Sequence, residues 1–450
     1  MSVATRYWAE LAWLGDGEPR RDVLIEVENG GITAVTPGVR HPGPDTVRLP
    51  GLTLPGLANV HSHAFHRALR GRIQTGADSF WTWRDHMYDI AARLEPDTYH
   101  ALARATYAEM ALAGVTSVGE FHYLHRAPNG LAYADPNAMS HALIAAAREA
   151  GVRITLLDTL YLTASVDGAP LEGPQRRFSD QDLDGWSARH SALADALARV
   201  PGTRIGAALH SVRAVPAELI PAFVEQTAGV PLHVHLSEQQ AENDACLAYH
   251  GKTPTQLLAD AGALGARTTA VHATHLADVD LTLLGDTRTT VCLCPTTERD
   301  LADGIGPARA LASSGSSLCL GSDSHAVIDL FEEARAVEFH ERLRSGRRGH
   351  FLPAELLTAT TSAGHAALGW PDAGRIAPGA RADLVTVRLD TVRAAGLDEA
   401  GAAAAVLFAA TAADVSHVVC DGRVIVRDGM HCAIPDVPGA LAAAIKAVAG

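Results

Sequence analysis

Lysine is almost absent from this chain: of 37 Lys and Arg residues only Lys252 and Lys446 are lysine, and the first 251 residues contain none. Positive charge is scarce overall, with a formal net charge of −14, which argues against nucleic acid or an anionic membrane as partner. No apolar run reaches the ~20 residues of a membrane span. The first residues, "MSVATRYWAELAWLGDGEPRRD", lack the basic start, apolar core and small-residue cleavage site of a secretory signal, so a cytoplasmic address is expected. The six cysteines, Cys246, Cys292, Cys294, Cys319, Cys420 and Cys432, show no regular framework, consistent with a reducing compartment. Cys292 and Cys294 alternate within an apolar run and read as buried strand residues. No glycine-rich nucleotide turn follows the first central strand.

What is present begins with histidine, at 22 of 450 residues. "GLANVHSHAFHRALRG" places His61, His63 and His66 within six positions. At that abundance about one His-x-His pair is expected by chance, and the chain has two, His61/His63 and His233/His235. The motif needs partners that the fold brings to it.

Short β-branched runs, each followed by a helix-like stretch, supply the frame. They occur at 56–60, 114–121, 153–161, 204–210, 231–238, 268–274, 289–295 and 316–323, with alanine-rich segments ending in glycine between several of them. Eight strand–helix alternations predict an α/β fold, a (β/α)8 TIM barrel over residues 56–375. Alternating patterns with Gly-Gly and Asp-Gly turns at both ends, residues 1–55 and 376–450, predict strands of one small composite β-sandwich domain beside it. The loop at 165–185 is expected to be the most mobile segment.

In such a barrel, sites are built at the carboxyl ends of the strands. His61 and His63, His210 with Arg213 three residues on, His235 then Glu238, His272 and Asp323 all fall there. Residues i and i+2 of a strand share a face, so His61 and His63 point the same way. Three imidazoles and a carboxylate suit Zn²⁺ with a water in the open position, although iron or manganese fits the same ligands. Glu238 and His272, not needed as ligands, are candidates for proton transfer and charge stabilisation.

The order of "ENGGITAV", "LPGLTLPGLANVHSH", His235 with Glu238, His272, "GSD" and "GRIAPGARADLV" resembles the amidohydrolase superfamily over nearly the whole chain. That resemblance implies one zinc on His61, His63, His235 and Asp323, with Glu238, His272 and Asp323 catalytic. It also gives the missing lysines their meaning. Members with two metals commonly bridge them with a carboxylated lysine on strand four, and none precedes Lys252, so a single zinc is expected. Glu120 could bridge metals instead, but reads as a buried structural carboxylate.

Within the superfamily, "HSHAFHRA", "DSFWTWRDHMY", "GEFHYLH", "HSVRAV", "HVHLSEQQ", "VHATH", "LCPTTERDL" and "GSDSH" resemble the formimidoylglutamate deiminase family. This implies a hydrolase of histidine degradation that acts on a small anionic amidine, N-formimino-L-glutamate. The substrate would be held by His66, Arg84, Tyr123, His210 and Arg213. Planar arginine forks suit two carboxylates. Arg84, beside Asp85 and Asp89, also fits a surface ion pair, and Tyr123 a buried phenol. His66 stands where that family carries glutamine. A related single-zinc deaminase acting on another formimino acid or an aminopurine-like ring, or a binding protein on the same fold, are the alternatives. A homodimer is expected.

Overall fold

The computed structural model describes residues 4–74 and 80–449. Of the segment "DSFWTWRDHMY", Asp78 and Ser79 lie outside the described residues. Four strands come first: β1 (Thr5–Ala12), β2 (Arg20–Glu28), β3 (Gly31–Thr36) and β4 (Thr46–Pro55). Eight parallel strands follow: β5 (Leu57–Ser62), β6 (Val115–His122), β7 (Arg153–Leu160), β8 (Thr203–Leu209), β9 (Leu232–Leu236), β10 (Thr268–His272), β11 (Thr290–Leu293) and β12 (Leu318–Leu320). Each overlaps one of the eight runs read from the sequence. β5, β6, β7 and β9 are buried at every position, as strands covered on both faces must be.

The ring closes where β5 meets the segment after β12. Ser62 and Asp323 form a parallel bridge, the Asp323 N–H donates to the His61 carbonyl at 2.9 Å, and His63 N–H donates to Asp323 O at 3.3 Å. The strand read as 316–323 forms a ladder only over Leu318–Leu320. Gly321 explains the shortening: a Cβ there would lie 2.7 Å from His61 Cβ and 2.8 Å from His61 N, so the two backbones touch. Gly321→Ala is therefore expected to cost about 1–3 kcal/mol through overpacking at the seam. The check is a fall in thermal midpoint together with faster loss of bound metal to a chelator.

A second sheet combines both ends of the chain in the order β16-β15-β14-β13-β4-β1-β2-β3, where β13 is Leu384–Val387, β14 Val415–Cys420, β15 Arg423–Arg427 and β16 Met430–His431. The carboxyl-terminal tail is not all strand. Residues Ala402–Ala409 and Val437–Ala449 are helices, as alanine-rich sequence favours, and the last packs on the barrel helix Pro96–Leu112. Arg153, 1% exposed on β7, ties the two sheets together: it donates to Asp383 (2.8 Å), Asp421 (2.9 Å) and Ser117 (2.9 Å).

The segment 165–185 is fastened over its second half rather than loose. Arg177 is fully buried and donates to the carbonyls of Arg126 (2.7 Å), Leu94 (2.6 Å) and Ala91, while Asp180 pairs with Arg189. Cys292 and Cys294 are buried, as the alternation suggested. No helix among the described residues is long and apolar enough to cross a membrane.

Candidate active site

His61 lies next to the end of β5, His63 follows that strand, His235 lies on β9, His272 ends β10 and Asp323 follows β12, so four strands deliver their polar ends to one point. The Nε2 atoms of His61 and His235 are 3.1 Å apart. Asp323 Oδ1 lies 3.4 Å from Nε2 of both His61 and His63. His63 Nδ1 donates to the Phe121 carbonyl and His235 Nδ1 to the His210 carbonyl, each at 2.9 Å. Those bonds put the ring protons on Nδ1 and leave the Nε2 lone pairs converging, which is the arrangement of imidazoles oriented for a metal.

Burial, first, and then mutual repulsion hold His61, His63 and His235 well below the ordinary histidine range, in the neutral form that ligates. His61, His63 and His235 form one candidate metal-holding triad; His61 with His272 and Asp323, and His63 with His66 and Asp323, form two more. The donor set fits a divalent ion held by imidazole nitrogen and carboxylate oxygen.

Two carboxylates flank His272. Glu238 Oε1 is 3.8 Å from Nε2 and Glu298 Oε1 is 3.5 Å from Nδ1, with Asp323 Oδ2 at 3.9 Å. Burial opposes a charge on His272, but Glu238 and Glu298 overcome it and hold the imidazole well above its usual value. Burial pushes the Glu238 carboxyl up to about 7, Asp323 and Glu242 adding to the shift and His272 opposing it. A carboxyl near 7 beside a charged imidazole is the pairing that acid–base chemistry at neutral pH uses.

The backbone here is strained to aim these groups. Ser237 (φ 52°), His272 (70°), Ala273 (53°), Asp323 (45°) and His325 (58°) all occupy the left-handed region without being glycine. Beneath them Glu120 is structural, as expected. It accepts from Ser62 Oγ (2.6 Å) and Ala64 N–H (2.7 Å), and burial pushes it up to about 8.

His63, His66, Arg84, Tyr123, His210, Arg213, His235, Glu238, His272 and Asp323 line a single pocket, with His61 behind them. Every residue singled out from the sequence thus meets at this site. His66, on the short turn Ala64–Leu69, has Nε2 3.1 Å from the Tyr123 hydroxyl. Arg213 Nη1 donates to the Tyr161 hydroxyl at 3.0 Å, and Arg84 lies 5.5 Å over the Tyr88 ring. Arg84 therefore reaches the pocket, and Tyr123 faces it.

The sequence reading missed Glu298, Glu242 and the ring walls Trp83, Tyr88, Tyr161 and Phe178. Glu298 had a usable signal: it stands just past the seventh strand, where barrel sites are built. Tyr161, directly after β7, had the same strand-end signal; Trp83, Tyr88 and Phe178 had none, because they come from helix and loop positions that look like packing.

Comparison with known proteins agrees with this geometry. The Amidohydrolase family profile matches residues 52–425. The chain is 36% identical to formimidoylglutamate deiminase of Pseudomonas aeruginosa, covering 94% of this chain and 95% of that one. It is 32% identical to 8-oxoguanine deaminase of the same organism over 84% and 83%. A crystal structure of an amidohydrolase from Brucella melitensis superposes with a TM-score of 0.92 at 31% identity, covering 99% and 100%. An adenosine deaminase from Xanthomonas campestris with bound zinc shares the fold, with a TM-score of 0.84 at 24% identity over 98% and 97%. Converging imidazoles, a carboxylate on the closing segment and a profile spanning both sheets lead to one assignment: the chain belongs to the amidohydrolase family and is a hydrolase of carbon–nitrogen bonds in small molecules, built around a divalent metal.

Proposed function

We propose that this enzyme hydrolyses N-formimino-L-glutamate to N-formyl-L-glutamate and ammonia in histidine degradation, with one zinc per chain on His61, His63, His235 and Asp323. The observation that carries this reading is the pair Arg84 and Arg213 in a pocket whose floor is the histidine cluster. The likeness to the Pseudomonas aeruginosa deiminase supports it.

A divalent ion held by His61, His63, His235 and Asp323 would supply Lewis acidity, lowering the pKa of a water toward neutrality and polarising the amidine. Asp323 accepts the proton of the attacking water. Glu238, near its midpoint at neutral pH, carries a proton to the departing nitrogen. His272, kept positive by Glu238 and Glu298, stabilises the negative charge that develops on oxygen. Arg213 and Arg84 grip the carboxylates, and His66, Tyr123 and His210 complete the hydrogen bonding around the chain between them.

A second reading rests on the walls. Trp83, Tyr88, Tyr123, Tyr161 and Phe178 offer flat apolar faces that an aminopurine-like ring also uses. Ammonia release from N-formimino-L-glutamate, N-formimino-L-aspartate and a panel of aminopurines separates the two. Arg213→Met is expected to raise KM for the glutamate derivative about 10- to 100-fold, the ~1.5–3 kcal/mol of a charged hydrogen bond. Unchanged KM on the acid, or turnover only of a ring, overturns the acid reading.

A further inference from the structure

We propose that Glu242 takes a proton from solvent when a substrate carboxylate docks against Arg213, so that the acid-binding end of the pocket stays neutral with ligand bound. The proposal rests on the reading of the substrate as an acid and extends it to a residue that reading does not use.

Glu242 sits in the first turn of the helix Gln240–His250 and lines the same pocket as Arg213. Its Oε1 is buried and has no hydrogen-bond partner, an unusual condition for a carboxylate oxygen at a cavity wall. Without ligand, the Arg213 guanidinium and the Glu242 carboxylate balance each other. A docked carboxylate leaves two negative charges against one positive, between Tyr88, Tyr161 and Phe178, which solvate an extra charge poorly.

One proton added to Glu242 restores neutrality. It also turns the idle oxygen into an O–H that donates to the docked carboxylate, a short charge-assisted bond. No other bond is made or broken, and the proton comes from water or buffer.

The surroundings favour this exchange. Facing Glu242 are Ser211 and Arg213 from the turn after β8, Glu238 from the end of β9, His272 from β10 and Cys246 from its own helix. Burial raises the Glu242 carboxyl above its ordinary value; Arg213, Ser211 and His272 oppose the shift. A carboxyl already raised and then given an anionic neighbour is the group that binds the proton.

Glutarate, binding to the zinc-loaded enzyme, tests this by calorimetry in two buffers of different ionisation enthalpy. The wild type is expected to take up close to one proton more per glutarate than Glu242→Gln, whose amide imitates the protonated carboxyl. Above the pKa of free Glu242, wild-type affinity should fall by up to about tenfold per pH unit relative to that variant. Equal proton counts in the two proteins, parallel pH profiles, or lost binding in Glu242→Gln overturn the proposal and leave the acid reading standing. Failure of glutarate to bind the wild type, or undiminished binding to Arg213→Met, overturns both. The pH profile of the wild type alone, if flat, is enough to refute it should the variant fold poorly.

Discussion

Glu238→Gln is expected to retain its metal and lose turnover by about 10²–10⁴-fold, the range a positioned acid–base group contributes. The substitution keeps the shape and one acceptor oxygen but cannot carry a proton. Glu238 is not among the groups that can hold the ion, so metal content after dialysis should match the wild type. Its companion His272 should also respond, because Glu238 is the largest influence raising that imidazole. With the carboxylate gone, His272 keeps the weaker support of Glu298, Cys294 and Asp323, and its charge should be lost at lower pH. Steady-state ammonia release and metal analysis on the same preparation decide the matter. Wild-type turnover with full metal would remove Glu238 from the chemistry, and loss of metal would make it a structural support instead.

Arg189→Met carries the largest expected cost in stability, about 3–5 kcal/mol, because it strands buried carboxylates without a partner. Arg189, on the helix Leu183–Leu197, donates to Asp158 on β7 at 2.7 Å and to Asp180 at 2.8 Å and 2.9 Å. Asp158 is fully buried and also contacts His190 Nδ1 at 3.1 Å. Burial by itself would raise the Asp158 carboxyl, but the Arg189 charge and the His190 contact overcome that and hold it well below the usual carboxylate range. The sign follows from the depressed value: this group stabilises the fold above its unfolded pKa of about 3.9. That stability is lost as pH falls from there toward the folded value, so the wild type should weaken steeply below about pH 4. Denaturant midpoints of wild type and variant from about pH 7 down to about pH 2 provide the check. A variant within 1 kcal/mol of the wild type would show that the network contributes specificity rather than stability.

Much of the site was legible in the sequence because a barrel converts linear position into spatial convergence. His61, His210, His235, His272 and Asp323 each sit at the end of an apolar run, and knowing the fold class is enough to bring them together. The failures have physical causes of their own. Arg177 reads as one of several charges in a loop rich in proline and glycine, yet it is buried because it bonds to backbone carbonyls, which leave no mark in the residue pattern. The eighth apolar run is longer than its strand because it continues into Gly321, where contact with His61 ends the ladder. Glu242 carries no functional signal in the sequence, because an acid in the first turn of a helix has an ordinary explanation in the helix dipole. Only the cavity shows that one of its oxygens has nothing to bond.

The seam between β5 and the segment after β12 has a consequence for how the protein is made. His61 and His63 leave the ribosome early, whereas Asp323 emerges only after all eight barrel strands have been synthesised. A nascent chain holding the first two imidazoles, or later three with His235, can meet an ion but cannot enclose it. Full coordination waits for the last strand to dock on the first, a contact of very high sequence separation and slow to form. Tight metal retention should therefore appear abruptly and late in synthesis, making the ion a reporter of ring completion. Chains truncated before residue 323 should hold it only loosely, however well their earlier strands have formed.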